Sequence, residues 1–368
     1  MKKNRKGIRS MKVSNPSKNI DRFLLLLILI GIPFLLISCN PEIPNTVENQ
    51  PETTVEFISK TDFLLNTVVT INLYDKQDMS LINGSFDIIR KYEAIYSRTE
   101  ETSELYRLNH GLAPNSSEKP LTYTVSSELA DVIQDALSYS KRSEGAFDLT
   151  IAPISSLWDF HTSSPALPDE TVLNHALDLV DYSHLQLNGT NVTFAAEGVG
   201  IDLGAIAKGY IADRVKEYLL ANGVKSALIN LGGNLLCIGT KPNQKPFHIG
   251  IQKPYADRNE TIATMEISDL SVVSSGVYER FFELDGKIYH HILNPRTGYP
   301  YDNGLISVTI ISEKSVDGDG LSTSCFALGL EKGLQLINRI PNTYAVFITE
   351  DYQLHYSEGF EDAITLLP

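Results

Sequence analysis

The spacing of apolar residues predicts both strands and helices in the N-terminal half of the chain. Apolar and polar side chains alternate over residues 57–73, as in a strand or in a hairpin with Asn66-Thr67 at its middle. Over residues 79–98 and 126–143, apolar side chains recur every three or four positions, which is the pattern of an amphipathic helix. A third helix is predicted over residues 168–180.

The C-terminal half is predicted to consist mostly of strands. An apolar strand at residues 227–231 leads into the glycine pair Gly232-Gly233. Further strands are predicted at 185–187, 192–194, 247–251, 261–267, 272–273, 279–284, 287–293, 305–312, 344–349 and 353–356, with a helix at 320–329. Because strands and helices are partly segregated, this order favours an α+β fold over a doubly wound sheet. Residues 57–368 exceed the usual size of one core, so we predict one large, two-lobed domain of mixed or antiparallel sheets with flanking helices.

A glycine-containing turn at residues 204–207 is predicted to join a short strand at 199–201 to a helix. The helix is indicated by Ile211, Val215 and Leu219, which recur at helical spacing. Such a turn directs free backbone N–H groups and the positive end of a helix dipole at one point, which suits a phosphate. Asp202 adds a carboxylate that could hold a metal or a ribose hydroxyl. Turns of this kind are also common packing devices, so this segment alone leaves both interpretations open.

The first 38 residues have the composition of an export signal. Eight basic and one acidic side chains in residues 1–22 precede an apolar run at 23–37, which is too short for the ~20 residues of a spanning helix. The ending Leu36-Ile37-Ser38-Cys39 resembles a bacterial lipobox. We therefore expect a lipoprotein signal peptide at 1–38 and a lipid on Cys39, an uncleaved membrane anchor being the alternative. In both cases the protein is exported and anchored to the bacterial cell membrane, with its domain facing the periplasm or the extracellular side.

Composition after the signal excludes one class of partner. Residues 39–56 are rich in Pro, Asn, Thr and Glu, which predicts a disordered tether that leaves the domain to residues 57–368. The net charge is −14 for the whole chain and −21 without its first 38 residues. Such an acidic surface argues against nucleic acid as a partner, because binding its backbone requires clusters of Lys and Arg. Cys237 and Cys325 lie in apolar contexts typical of buried small residues, and a disulfide between them is the less favoured alternative.

Several further clusters contain side chains that could carry chemistry, and each also has a structural interpretation. Asp148 follows a predicted helix and could cap local N–H groups, while Phe147 could belong to the core. His290 and His291 alternate across a strand, so one of them should face inward, where a lone histidine is usually a satisfied core residue. Asp319 and Thr323 share one face of a helical turn, although Asp319 could be only an N-cap. The other clusters are Asn230 to Asn234, Ser274-Ser275-Gly276 and Asn294 to Gly298.

Taken together and in order, these clusters resemble the ApbE family of FAD:protein FMN transferases, from about Phe63 to Gly329. The matching segments are Phe147-Asp148-Leu149-Thr150 with Pro153 and Trp158 ("FDxT..GP…W"), Asp202 to Tyr210 ("DLGGIAKGY"), Asn230-Leu231-Gly232-Gly233 ("NxGG"), His291 to Gly298 ("HIxDPRTG") and Asp319 with Thr323 ("DxxxT"). Some positions depart from the pattern. Leu65-Asn66-Thr67 stands where Met-Gly-Thr is frequent, and Asn234 and Asn294 stand where Asp is common.

The resemblance implies a T-fold-like domain, a substrate, a cofactor and a partner. Mg²⁺ is expected on the Ala205 carbonyl, Asp319 and the Thr323 hydroxyl, all hard oxygen ligands. With FAD as substrate, FMN is transferred to a Ser or Thr hydroxyl of an exported flavoprotein through a phosphoester, and AMP is released. His291 is the candidate base, expected to titrate near neutrality, and Asp319 is the second catalytic residue. Contacts to FAD are expected from Leu65, Thr99, Ala146, Phe147, Asp148, Asp202, Lys208, Gly232, Gly233, His291 and Ile292.

Two alternative functions remain open at this point. If water attacks instead of a hydroxyl, the same site is a Mg²⁺-dependent FAD pyrophosphatase. A flavin-binding lipoprotein without turnover is the alternative from another class, although a binding protein has no need of a metal at the pyrophosphate. The family's acceptor motif "DGxTGAT" is absent, and 317–320 (Asp-Gly-Asp-Gly) repeats only its beginning. The chain is therefore not expected to modify itself.

Overall fold

A computed structural model of the chain describes residues 56–115, 119–257 and 259–367. The predicted signal peptide, Cys39 and the tether up to residue 55 lie outside these residues. Across the three described ranges, no helix is long and apolar enough to cross a membrane.

The described chain contains strands and helices in mixed order. The strands are β1 (Ile58–Leu64), β2 (Thr67–Leu73), β3 (Thr122–Thr124), β4 (Leu185–Asn188), β5 (Asn191–Phe194), β6 (Ala227–Leu231), β7 (Asn234–Ile238), β8 (Phe247–Gln252), β9 (Thr261–Ile267), β10 (Ser271–Gly276), β11 (Phe281–Leu284), β12 (Lys287–His290), β13 (Leu305–Ser312), β14 (Tyr344–Thr349), β15 (Leu354–Tyr356) and β16 (Thr365–Leu367). The helices are α1 (Met79–Tyr96), α2 (Glu104–Asn109), α3 (Ser127–Arg142), α4 (Ala152–Ser155), α5 (Glu170–Leu177), α6 (Ala207–Ala221), α7 (Ser315–Ile337) and α8 (Phe360–Ala363), with a 3₁₀ turn at Tyr182–His184.

An eight-stranded sheet of order β1-β2-β6-β7-β10-β13-β14-β15 forms the centre of the fold. Helix α7 packs on β10 and β13, and α6 packs between α7 and α1. Three smaller sheets have the orders β3-β5-β4, β16-β9-β8 and β11-β12. All paired strands in the described ranges are antiparallel, and the parallel contact there is an isolated bridge between Ile151 and Gly200. The predicted α+β class with antiparallel sheets and flanking helices is confirmed.

Buried apolar side chains form a large core and a small one. The large core joins the eight-stranded sheet to α1, α3, α6 and α7. The small core consists of Ile154, Trp158, Leu173, Ala176, Phe282 and Leu293. The Trp158 indole donates a hydrogen bond of 3.0 Å to the carbonyl of Gly298, which ties the small core to the loop after β12. Cys237 and Cys325 are buried and are not bonded to each other, as expected.

Local signals predicted the first elements well. Residues 57–73 form the β1–β2 hairpin, in which Leu65 and Asn66 occupy the turn, each with φ of 55°. Two successive left-handed residues are what a tight type I′ hairpin turn requires. Helices α1 and α3 begin at N-caps, since the Asp78 and Ser126 side chains accept hydrogen bonds from the backbone N–H groups of Ser80 and Leu129.

One predicted strand is absent and one predicted helix starts earlier than expected, because tertiary contacts override the local pattern. Residues 199–201 are not a strand, since the side chain of Asn109 bonds both the N–H and the carbonyl of Ile201 and replaces a strand partner. Helix α7 begins at Ser315, five residues before the predicted start, despite glycines at 318 and 320. A Cβ at Gly318 would lie 2.5 Å from the side chain of Val273, so this glycine permits close packing on β10. Asp319 is therefore inside α7 and is not its N-cap.

Candidate functional site

The crossing of α6 and α7 brings together the start of one helix and the second turn of the other. Asp319 is buried, and its Oδ2 accepts a hydrogen bond of 2.6 Å from the backbone N–H of Gly209. Gly209 permits this contact because a Cβ there would lie 2.2 Å from the carbonyl oxygen of Ser315. The glycine in the "AKGY" segment is thus required for close approach of two backbones.

The bond from Gly209 to Asp319 also changes the start of α6. In a regular helix the N–H of Gly209 would donate to the carbonyl of Ala205, four residues earlier. Here that N–H is used by Asp319, and among the described residues no backbone N–H donates to the Ala205 carbonyl. The Ala205 carbonyl oxygen is therefore available to water or to a bound ligand. A carboxylate and a free carbonyl are consequently held at the same helix end.

Lys208 and Thr323 extend this group. The Nζ of Lys208 lies 3.9 Å from Oδ1 of Asp319, at the limit of an ion pair. The Thr323 hydroxyl is 3.1 Å from Oγ of Ser275 on β10, and the latter is also 2.8 Å from the Ser322 hydroxyl. Ser275 was noted in the sequence only as part of a Ser-Ser-Gly segment. Its contact shows that β10 supports Thr323, which lies one helical turn after Asp319.

The described residues contain no group of three or more His, Cys, Asp or Glu side chains placed to hold a metal ion. A cation at this helix crossing would therefore rest on one carboxylate together with carbonyl and hydroxyl oxygens. That donor set fits Mg²⁺, which keeps several waters and takes substrate phosphates as ligands instead of filling an all-protein cage. It does not fit zinc, which takes nitrogen and sulfur ligands.

The two histidines at the end of β12 have different environments. His290 is the inward-facing one: it is buried, its Nε2 is 2.9 Å from the Tyr301 carbonyl, and its Nδ1 accepts from the N–H of Ile292. Burial lowers the pKa of His290, so this ring is neutral and both nitrogens are satisfied. One of the two histidines was expected to face inward, and the structure shows that it is His290 and not the candidate base His291.

His291 is held in one orientation by a single carbonyl. Its Nδ1 is 3.2 Å from the Arg280 carbonyl, and its backbone N–H donates to the same oxygen at 3.1 Å. A carbonyl only accepts, so Nδ1 carries the proton and the lone pair is on Nε2. Removal of the ring from water lowers the pKa of His291, and the charge of Arg280 lowers it further. The expected titration near neutrality therefore moves to lower pH.

Asp202 belongs to a second polar cluster, one that includes a residue the sequence did not single out. Its Oδ1 accepts from the N–H of Gly204, and its Oδ2 accepts from the Ser155 hydroxyl at 2.8 Å. Arg98, just beyond α1, lies 3.4 Å from the same Oδ2 and donates to the Ser155 and Ser156 hydroxyls. Arg98 directly precedes Thr99, an expected contact to FAD, and this was the signal in the sequence that could have indicated it. The turn that carries Ala205 is thus tied through Asp202 to the end of α1.

The loop after α3 holds three of the expected flavin contacts. Both oxygens of Asp148 are occupied: Oδ1 accepts from the backbone and hydroxyl of Thr150, and Oδ2 accepts from the N–H of Tyr182. Phe147 is buried in the large core. The Ala146 carbonyl accepts from the Tyr301 hydroxyl at 2.9 Å, which links this loop to the segment after His291. These contacts organise the loop, and the expected flavin contacts of its residues stay predictions.

The remaining expected contacts lie in two neighbouring turns and around them. The N–H of Leu65, in the β1–β2 turn, donates to Glu93 of α1. A Cβ at Gly232 would lie 2.2 Å from the Thr67 hydroxyl, so the β6–β7 turn of Gly232 and Gly233 packs against the β1–β2 turn. Thr99 is exposed and its N–H donates to the Ser97 hydroxyl, whereas Ile292 is buried. The contacts above therefore join Lys208 and Gly209 to Asp319 at one helix crossing, with Ala205 just before α6 and Thr323 one turn after Asp319 on α7. None of them joins Leu65 or Thr99 to that group.

Three comparisons with known proteins agree with one another. The model of the ApbE family matches residues 65–348. An FAD:protein FMN transferase of Klebsiella pneumoniae (strain 342) is 39% identical over 290 residues, which are 78% of this chain and 88% of that protein. An FAD:protein FMN transferase of Treponema pallidum (strain Nichols) is 32% identical over 84% of this chain and 89% of its own length. The solved structure of the flavin transferase ApbE from Vibrio cholerae has a TM-score of 0.74 at 26% identity, covering 83% of this chain and 99% of that one.

Proposed function

The chain belongs to the ApbE family, and on that premise we propose that it is a Mg²⁺-dependent FAD:protein FMN transferase that modifies a Ser or Thr hydroxyl of an exported flavoprotein. The activity class is that of the relatives described above, which match most of this chain. The hydroxyl acceptor, the phosphoester product, the release of AMP and the role of the metal are the further parts of the proposal.

The observation that carries the proposal is the contact between Asp319 and Gly209. It buries one carboxylate oxygen at a helix start and leaves the Ala205 carbonyl without its helical partner. Together with the Thr323 hydroxyl, these oxygens would hold Mg²⁺, whose chemistry at a bound FAD would be to neutralise charge on the pyrophosphate. A protein that only bound flavin would gain nothing from such a group.

The residues around this site have separable roles in the proposed transfer. Lys208 supplies a positive charge beside Asp319, where the phosphates of FAD would lie. His291 presents its Nε2 lone pair, since Nδ1 is held by the Arg280 carbonyl. Because its pKa is lowered, the ring is neutral at pH 7 and can accept the proton of the incoming hydroxyl.

The proposed step balances without a further reactant. The acceptor oxygen forms a bond to the FMN phosphorus, the bond between that phosphorus and the bridging oxygen breaks, and AMP leaves with the electron pair. The hydroxyl proton passes to Nε2 of His291. If water takes the place of the hydroxyl, the same site hydrolyses FAD to FMN and AMP. This is the pyrophosphatase alternative.

The proposed cellular location rests on the sequence of the N-terminal segment. Residues 1–38 carry the composition of a lipoprotein signal and are followed by Cys39, and both lie outside the described residues. A membrane-anchored enzyme on the outer face would meet exported flavoproteins directly. Replacing Cys39 with serine should shift the protein from the membrane to the soluble fraction with its transferase activity intact. A variant that stays in the membrane fraction would support an uncleaved anchor.

A paired assay of AMP and protein-bound flavin tests the proposed activity. The protein is incubated with FAD and an exported flavoprotein, with Mg²⁺ or with a chelator. Transfer predicts Mg²⁺-dependent AMP and an equal amount of flavin that stays on the acceptor in a denaturing gel. The matched control is an acceptor whose modified Ser or Thr is replaced by Ala or Val. AMP without bound flavin supports the pyrophosphatase alternative, and FAD binding without AMP supports the non-catalytic one.

A further inference from the structure

Helix α7 begins without a cap from its own chain segment. The residue before it, Lys314, makes no side-chain cap bond with any residue that the structure describes. The first two N–H groups of α7 are instead bonded by Asp213 of α6. Its Oδ1 accepts from Ser315 at 2.8 Å and its Oδ2 accepts from Val316 at 3.0 Å. Asp213 is buried and supplies from a neighbouring helix what an N-cap side chain normally supplies.

The same two helices exchange a second bond in the opposite direction. Asp319, four residues after Ser315, bonds the N–H of Gly209, four residues before Asp213. Each helix therefore gives a carboxylate to a backbone N–H near the start of the other. Between the two bonds the backbones are in contact at Gly209, where a Cβ would lie 2.2 Å from the Ser315 carbonyl oxygen. This reciprocal pair fixes both the rotation and the axial position of α7 against α6.

We propose that Asp213 is a positioning residue for the metal site: it holds α7 so that Asp319 and Thr323 face the Ala205 carbonyl. This inference rests on the proposed function. Asp213 lies outside the expected ligand set, and its carboxylate bonds the backbone of Ser315 and Val316 instead of the side chains of Asp319 and Thr323. It acts through the helix, since a carboxylate bonded to both N–H groups resists sliding and rotation of α7. The supporting shell of a metal site typically contributes 10–100-fold to metal affinity.

A second contact supports the same helix start. The Ser315 hydroxyl donates to Oδ1 of Asn234 at 2.6 Å, and the Ser271 hydroxyl donates to Ser315 at 2.9 Å. These bonds hold the side chain of Ser315 while Asp213 holds its N–H. Strands β7 and β10 thus hold the side chain of the first residue of α7, and α6 holds its backbone.

The test is Asp213→Asn, which keeps the size of the side chain but replaces one acceptor oxygen with an NH₂ group that faces a backbone N–H. Binding of Mn²⁺, a paramagnetic substitute for Mg²⁺, is measured by electron paramagnetic resonance with and without FAD. We expect the metal dissociation constant to rise by about 10–100-fold, with FAD affinity in the absence of metal unchanged. In the Asp319→Asn background, adding Asp213→Asn should weaken metal binding less than it does in the wild-type background, because one of the ligands that it positions is already altered.

The matched control is Asp169→Asn. Asp169 accepts from the N–H groups of Thr171 and Val172 at the start of α5, a helix that carries none of the site residues. It should lower thermal stability without moving the metal dissociation constant. If Asp213→Asn does not fold, Asp213→Glu, which retains the carboxylate but displaces it, takes its place in the same comparison.

The outcomes separate this inference from the function on which it rests. If folded Asp213→Asn or Asp213→Glu binds the metal with the dissociation constant of the wild type, the positioning role alone is overturned. Additive effects of Asp213→Asn and Asp319→Asn would also overturn it, because the two residues would then act independently. No metal binding by the wild-type protein, with or without FAD, would overturn the metal assignment in the proposed function.

Discussion

Replacing Gly209 with alanine tests the helix crossing directly, because two effects of this substitution have opposite signs. Alanine favours a helix over glycine by about 1 kcal/mol, so helix propensity alone predicts a more stable protein. The structure predicts the reverse. The new Cβ would lie 2.2 Å from the Ser315 carbonyl oxygen and 2.8 Å from Cα of Val316, and both obstacles are backbone atoms that cannot rotate away.

The size of the effect follows from these distances. Restoring an ordinary contact of 3.4 Å from 2.2 Å requires α6 and α7 to separate by about 1.2 Å at this point. The bond of 2.6 Å from Gly209 to Asp319 would then exceed the limit of a hydrogen bond. Overpacking costs about 1–3 kcal/mol, and losing a hydrogen bond to a charged group costs about 1.5–3 kcal/mol. After subtracting the helix propensity, we expect a loss of about 1.5–5 kcal/mol in the free energy of unfolding.

Urea unfolding at fixed pH measures this quantity. Gly84→Ala is the matched control, because Gly84 lies inside α1 and its Cβ would meet only the side chain of Tyr218, which is partly exposed and can move. The control should stay within about 1 kcal/mol of the wild type. A Gly209→Ala protein as stable as the wild type, or more stable, would refute the close approach of α6 and α7.

Three further predictions concern the site and its histidines. Asp319→Asn should abolish Mg²⁺-dependent AMP release while its amide oxygen still accepts from Gly209, and a folded variant with full activity would contradict the ligand role. His291→Ala should lower FMN transfer about 10²–10⁴-fold at unchanged FAD affinity. Because the pKa of His291 is lowered, the wild-type rate should fall only below pH 6.5, and the variant should lose this acid limb of the pH–rate profile. Because the pKa of buried His290 is also lowered, the unfolded state binds more protons below pH 6.5, so the free energy of unfolding should drop as pH falls from 7.5 to 5.5. His290→Gln should reduce that drop by up to about 1.4 kcal/mol in urea unfolding at the two pH values, and an unchanged drop would contradict a neutral buried ring.

Elements with signals in their own residues were predictable from the sequence. The β1–β2 hairpin and helices α1 and α3 follow from alternation, amphipathic spacing and adjacent caps such as Ser126. Strand β13 was predicted with the bounds that the structure shows. In these cases the side chains that define an element lie inside it or next to it, so a local pattern contains the necessary information.

The start of α7 could not be predicted in this way. Its cap is Asp213, about 100 residues earlier in the chain, and Gly318 and Gly320 serve close packing instead of ending a helix. The order of two adjacent histidines was equally hidden, because which of them faces inward depends on the Tyr301 carbonyl that receives His290. The resemblance named Ala205, Asp319 and Thr323 together as expected ligands, whereas the bond from Gly209 to Asp319, which takes the helical partner of the Ala205 carbonyl, required the structure.

The measurement that tests the central claim most directly follows flavin and AMP in one reaction. Wild-type protein and Asp319→Asn are incubated with FAD, Mg²⁺ and an exported flavoprotein, and mass spectrometry of the acceptor is combined with chromatography of the nucleotides. We predict that the wild type adds one FMN group to a Ser or Thr of the acceptor for each AMP released, and that Asp319→Asn does neither. AMP in excess of protein-bound FMN, or equal labelling by both proteins, would contradict a transferase that works through this site.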